Sequence, residues 1–330
     1  MLHRFAKLLA VCTVFLILAG SLVTSHDAGL SVPDWPTSYG WNMFTFPPSM
    51  WVANIFYEHG HRLVASGVGF LTIILTVWLL AVEPRRWMRW LGVAALGAVI
   101  AQGLLGGLTV KYFLPPAVST AHAALAEIFF CMTVAIALFT SPGWQRPNAG
   151  LDAVDDPLVR RLAMATTLTV FCQILLGATM RHTGAGLAIP DFPLMFGRLI
   201  PDHWNGGITL HFAHRIGALV VTAIALVTSI TIWRRHGDHV DLAHPSLLIL
   251  IAIVIQGTLG ALTVLSRRQP WINSLHVVGG ALVLTTSLVI TLRTWRAHFA
   301  DSPRVTDRTG TPLSTMERAA RAANPGGVRA

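Results

Sequence analysis

The chain has 330 residues, 53% of them hydrophobic and only 12% charged, with a mean hydropathy of +0.60. A soluble domain carries about twice that charge, and the apolar residues gather in runs long enough to cross a bilayer, which excludes a soluble fold and favours helices over a barrel. The formal net charge of +9 does not point to nucleic acid, because the arginines sit in short loops beside apolar runs, where the positive-inside rule puts them.

The first run, Leu8 to Gly20, follows His3, Arg4 and Lys7 and has the outline of a signal peptide. A counterpart near 162–180 assigns it instead as the first span. Eight spans are expected, at roughly 6–25, 60–82, 90–110, 119–140, 161–181, 210–232, 246–265 and 272–293. Arg4, Lys7, Arg85, Arg86, Arg89, Arg146, Arg160, Arg161, Arg234 and Arg235 fall on one side of these spans. Lys111, Arg198, Arg267 and Arg268 fall on the other. The richer side is the cytoplasmic one, so both termini are expected there, and connections 26–59 and 182–209 face outward. Cys12, Cys131 and Cys172 lie inside apolar runs and read as packing residues, with no disulfide framework. From about Asp301 the chain is polar, with prolines, glycines and arginines and no apolar period, which predicts a disordered cytoplasmic tail resting on anionic lipid.

The spans form an internal repeat. Gly29-Leu30-Ser31-Val32-Pro33-Asp34-Trp35-Pro36 matches Gly186-Leu187-Ala188-Ile189-Pro190-Asp191-Phe192-Pro193. The segment from Gln102 to Val110 matches that from Gln256 to Val264. The expectation is an all-α integral membrane protein of two pseudo-symmetric four-helix bundles, with halves at 1–145 and 146–298 and a tail at 299–330. An even number of spans per repeat keeps both halves in one orientation, with the axis along the membrane normal.

The repeat brings four histidines to one depth, near the outer ends of the even-numbered spans: His61, His122, His214 and His276. A histidine inside a bilayer is costly without a partner, so these are functional candidates. Two imidazoles on two helices of a bundle are a natural axial clamp for haem iron. Zinc fits less well, since no cysteine or carboxylate cluster completes a tetrahedral set. His26, His59, His182 and His203 read as ordinary polar residues in loops or at span edges. Arg62 and Arg215, each following a candidate ligand, are suited to haem propionates. Snorkelling, or pairing with Asp34 and Asp191, fits the sequence equally. The glycines of the third and seventh spans admit either a packed helix or a flat ligand, and Gln102 and Gln256 are polar groups that need partners.

The halves also differ. Glu58 stands where the second half has His211, and Glu127 where it has Ala281. Electron transfer needs no nearby acid, whereas chemistry on a ligand often does. The asymmetry suggests a reactive haem in the first half and a resident redox haem in the second, although divergence after duplication would also produce it.

The segment at 29–36, Glu58-His59-Gly60-His61-Arg62, Gln102-Gly103 with His122, His214-Arg215, and Gln256-Gly257 with His276 together resemble the haem A synthase family over about residues 5–295. The resemblance implies an enzyme of the bacterial cytoplasmic membrane that oxidises a ring methyl of haem O to a formyl group by successive hydroxylations. It implies iron ligation by all four histidines, with haem b on His214 and His276 and substrate haem on His61 and His122. It makes Glu58 the essential acid. The expected partners are haem O, membrane lipid, a haem O synthase and an electron donor such as quinol. The cysteine pair that some members carry in the first outer loop is missing from residues 26–59, so a thiol redox step does not apply. A diheme cytochrome fed by quinol, or a haem carrier without chemistry, are the alternatives.

Overall fold

The computed structural model describes residues 1–145 and 155–299. Within them lie eight helices long and apolar enough to cross a membrane: α1 (Leu2–Ser25), α2 (Asn54–Val82), α3 (Arg86–Lys111), α4 (Pro116–Phe139), α5 (Pro157–His182), α6 (Gly206–His236), α7 (Val240–Leu265) and α8 (Pro270–Thr294). The shortest have 24 residues; at about 1.5 Å per residue even these outrun a hydrocarbon core of about 30 Å. The protein is therefore an all-helical, multi-pass membrane protein. Arg146, the boundary at 146 and the tail from residue 300 lie outside the described residues.

Every helix begins before its apolar core does. The expected starts at 60, 90 and 246 become Asn54, Arg86 and Val240, and α6 also runs on to His236 instead of 232. The added first turns carry prolines, glycines or charges that interrupt the apolar run, and several are locally stabilised. Pro116, Pro157 and Pro270 occupy first-turn positions where a missing N–H costs nothing. Asp156, Asn205 and Gln269 cap α5, α6 and α8, accepting from Leu158, Ile208 and Ile272 N–H at 2.9 Å. Pro245 sits inside α7 and cannot donate to the Asp241 carbonyl; Arg293 of α8 donates to that oxygen instead.

Helix α1 packs on α2 and α4, and α3 on α2 and α4, closing a ring of four. Helices α5 to α8 close a second ring in the same order, and the rings touch through α1–α8, α4–α5 and α4–α8. Exchanging α1–α4 for α5–α8 maps this scheme onto itself. Each ring has its own apolar core, Leu9, Leu75, Met88 and Ile136 in one and Val159, Ile232, Leu242 and Leu284 in the other. Where side chains are small, helices approach closely and hydroxyls cross between them. Thr76 donates to the Gly92 carbonyl at 3.0 Å, and Thr166–Thr228 and Thr167–Thr291 pair at 2.8 and 2.9 Å. At the turn between α2 and α3, buried Glu83 meets Arg85 at 2.7 Å, and Arg85 also holds the Phe139 carbonyl. Burial pushes the Glu83 carboxyl up, but the hydrogen bonds and charge of Arg85 outweigh it and hold it below the usual range.

Candidate functional site

The four histidines share one local construction. Each lies on an even-numbered helix and rests its ring on a glycine of the helix before it. A Cβ on Gly20, Gly106, Gly177 or Gly260 would stand 2.9, 3.2, 2.8 or 3.0 Å from the Cε1 atom of His61, His122, His214 or His276. The glycines are needed because an imidazole fills the volume where a side chain would begin. The Nδ1 atoms of His61, His122 and His276 are enclosed and have no hydrogen-bond partner. Ring orientation is thus set by packing on the glycine, not by the Nδ1 hydrogen bond common among metal-binding histidines.

One turn before three of these glycines stands a glutamine. Gln102 and Gln256 donate to the His122 and His276 carbonyls at 2.9 and 2.7 Å. Gln173 of α5 donates to the His214 carbonyl at 2.7 Å and lies 3.1 Å from its Nδ1. Sequence reasoning found the partners' need at Gln102 and Gln256 but missed Gln173. The available signal was the recurrence of Gln, three residues, then Gly in α3, α5 and α7; α1 has Leu16 at that place, so aligning the halves alone hides it.

Structure brings His214 and His276 together, their rings 6.5 Å apart, centre to centre. His61 and His122 take the matched places on Gly20 and Gly106. Two metal–imidazole bonds of about 2 Å, plus the reach from each nitrogen to its ring centre, call for roughly 6 Å. Among the described residues no group of three His, Cys, Asp or Glu could hold a metal by itself. A metal that brings its other ligands as a macrocycle is what two facing imidazoles suit, so the residues present fit a haem.

The long loops after α1 and α5 are clamped by matched contacts. The Asp34 carboxylate accepts from Tyr39 and Gly40 N–H at 2.7 and 2.8 Å; Asp191 accepts from Phe196 and Gly197 N–H at 2.8 Å each. Both turns use the left-handed region, at Tyr39 and Gly40 and at Phe196 and Gly197. For Asp34, burial raises the carboxyl but the N–H donors and Thr37 prevail and lower it; for Asp191 the Gly197 N–H leads the lowering. Trp35 of the first loop lies on Gly107 of α3.

Arg62 and Arg215 belong to this clamp. Arg62 donates to the Asp34 and Thr37 carbonyls and to the Val32 carbonyl and Glu58, at 2.7 to 3.0 Å, which occupies all four terminal N–H groups. Arg215 donates to Leu194, Ile189 and Asp191 carbonyls. Both arginines thus hold the loops, Arg62 with all four terminal N–H groups and Arg215 with three. Glu58 is buried, 4% exposed, pairs with Arg62 at 2.7 Å and accepts from Val32 N–H at 2.8 Å. His211 meets the matched Ile189 N–H at 3.3 Å through Nδ1. Glu58 and His211 are therefore equivalent clips, one charged and one not. His59 is also structural: it is fully buried between Phe46 and Trp51 and bonds Ser38. Glu127 on α4 is buried with one oxygen unpartnered.

The geometry defines a multi-pass helical membrane protein with a histidine pair inside each of two four-helix rings. The chain belongs to the family of cytochrome oxidase assembly proteins (COX15-CtaA), whose sequence profile it matches over residues 3–288. It is 30% identical over 269 residues to the Heme A synthase of Symbiobacterium thermophilum, covering 79% of this chain and 84% of that protein. It is 26% identical over 301 residues to the Heme A synthase of Halalkalibacterium halodurans, covering 88% and 97%. The Heme A synthase of Shewanella oneidensis is 25% identical over 336 residues, covering 90% and 97%.

Proposed function

We propose that the protein is a haem A synthase of the bacterial cytoplasmic membrane, oxidising the ring methyl of haem O to a formyl group. The two halves are related by a twofold axis along the membrane normal, with both termini cytoplasmic. The observation that carries the reading is the pair of His214 and His276, their rings 6.5 Å apart at an interplanar angle of 76° and each seated on a glycine. These two residues hold the iron of haem b. Bound there, haem b supplies one-electron transfer. His61 and His122 hold the iron of the substrate, haem O, in the other half. Converting a methyl to an aldehyde takes four electrons from one carbon, in two hydroxylations and a loss of water, with an external oxidant as the acceptor, and each step moves protons at the ring edge. Glu58 lies one turn before His61 and handles them: a carboxylate has more lone pairs than the two contacts it makes. Arg62 keeps it in place, and the loop over it limits water.

The test is pigment analysis of membranes containing the protein and a haem O source. Haem A is expected. Haem O unchanged beside a fully haem-loaded protein would overturn the reading in favour of a diheme cytochrome. In the purified protein His214→Ala and His276→Ala should each remove most of the low-spin bis-imidazole spectrum. Retention in both would sink the ligand assignment.

A further inference from the structure

The halves differ in charge at two matched outer positions. The seat glycines place Thr24 opposite Arg181, each four residues after Gly20 or Gly177. The matched segments ending at Val110 and Val264 place Leu114 opposite Arg268, each four residues further on. The backbone agrees with the second match. Leu114 and Arg268 both take positive φ, 58° and 67°. Leu114 lies 3.3 Å from a Cβ built on Gly29, and Arg268 lies 3.8 Å from one built on the matching Gly186.

Arg181 extends from the last turn of α5 towards α1, donating to the Ser21 carbonyl at 2.7 Å and to Ser25 Oγ at 2.9 Å. Its Nε is enclosed and has no partner. Among the described residues no carboxylate stands within 4.0 Å of it. Asp27 acts on it from further away, and Arg268, of like sign, acts against it. The charge of Arg181 is also felt at His276. The Ser25 Oγ that Arg181 holds also bonds Asn273 and Ser274, just before His276, and Arg268 packs by its Cδ on Gly186, so both guanidiniums lie at this end of the second ring with less negative charge than they need. Enclosed charges are normally paired, because an unpaired one keeps its desolvation cost. A dianion of two carboxylates would supply the deficit, and guanidiniums bind carboxylates well. Haem carries two carboxylates on one edge. In the arginines next to the histidines, the four terminal N–H groups of Arg62 and three of those of Arg215 already hold the long loops.

We propose that Arg181 and Arg268 are the carboxylate-binding pair for the haem held by His214 and His276, and that neutral Thr24 and Leu114 leave the haem of the first half exchangeable. This rests on the reading of His214 and His276 as ligands of a resident haem. The asymmetry gives each half the behaviour its task demands: one haem stays, the other must enter and leave.

The test is haem retention by the full-length protein in detergent, read as the rate of transfer to excess apomyoglobin, for haem b and for its dimethyl ester. Wild-type protein should lose the ester at least tenfold faster from the low-spin site. The double variant Arg181→Gln with Arg268→Gln should lose haem b at about the ester's rate and show a lower midpoint potential, since nearby positive charge favours the reduced iron. Arg268→Gln alone does not touch the Ser21–Ser25 contact and should show part of the effect; Arg181→Lys should restore part of it. Equal rates for haem b and ester in wild-type protein would overturn the proposal without any mutation. So would an unchanged rate and potential in a folded double variant. If His214→Ala and His276→Ala keep the low-spin spectrum, the ligand reading itself has failed. If they lose it while the arginine variants behave as wild type, only the carboxylate assignment has failed.

Discussion

Glu58 has two tasks that one substitution cannot separate but two can. Glu58→Gln keeps an acceptor for Val32 N–H and removes the titratable proton. Glu58→His rebuilds the clip that His211 makes in the second half. Both variants are expected to fold, to keep the haem at His214 and His276, and to accumulate haem O or a hydroxylated intermediate, as read by pigment extraction. Normal haem A yield from either would reduce Glu58 to a loop clip. The glycine seats give a second prediction. A methyl on Gly177 would meet His214 at 2.8 Å, whereas nothing lies within 4 Å of one on Gly103. Overpacking costs about 1–3 kcal/mol, so Gly177→Ala should lower haem occupancy roughly tenfold or more, at about 1.4 kcal/mol per decade. Gly103→Ala should bind as wild type. At this scale the sequence was informative about the four histidines, which repeat and are costly in lipid. It was uninformative about Arg62 and Arg215. Their fate depends on where the 29–41 and 186–198 backbones fold, and carbonyl acceptors leave no mark in side-chain identity.

Elements were legible to different degrees at their two ends. Most helix ends fell within a residue of expectation because apolar runs stop at charged or left-handed positions. The starts were placed too late because first turns that open on proline or glycine after a cap such as Asp156, Asn205 or Gln269 dilute the hydropathy signal. The outer loops were legible as a repeat but not as structures. Each is tied by an aspartate whose carboxyl is held below its ordinary value of 3.8. A depressed folded value contributes stability that is complete above the unfolded value and is lost as pH falls through the folded one. Protease should therefore spare 34–41 and 191–198 at neutral pH, cut them in the wild type only on acidification below the ordinary carboxylate value of about 3.9, and cut them at neutral pH in Asp34→Ala and Asp191→Ala. Protection of both variants at neutral pH would contradict the latch.

For the whole molecule the expected topology has a direct check. A reporter fused after Arg293 should read as cytoplasmic and one inserted near Phe196 as external; the reverse would put both histidine pairs on the inner side. Repetition made this scale the most legible, since matched segments fix which helices correspond before any contact is known. What matching could not supply was the choice of α1, α4, α5 and α8 as the shared wall, because lipid-facing and helix-facing apolar residues look alike.

Two rings with separate cores and one shared wall have a thermodynamic consequence. Cooperative unfolding follows continuity of packing, and here the two buried clusters, around Leu75 and Met88 and around Ile232 and Leu242, meet only across the wall of α1, α4, α5 and α8. Heating should then resolve into two melting events. A tightly held haem stabilises only the folded form that binds it, so loading the His214–His276 site should lift the upper transition and leave the lower one where it was.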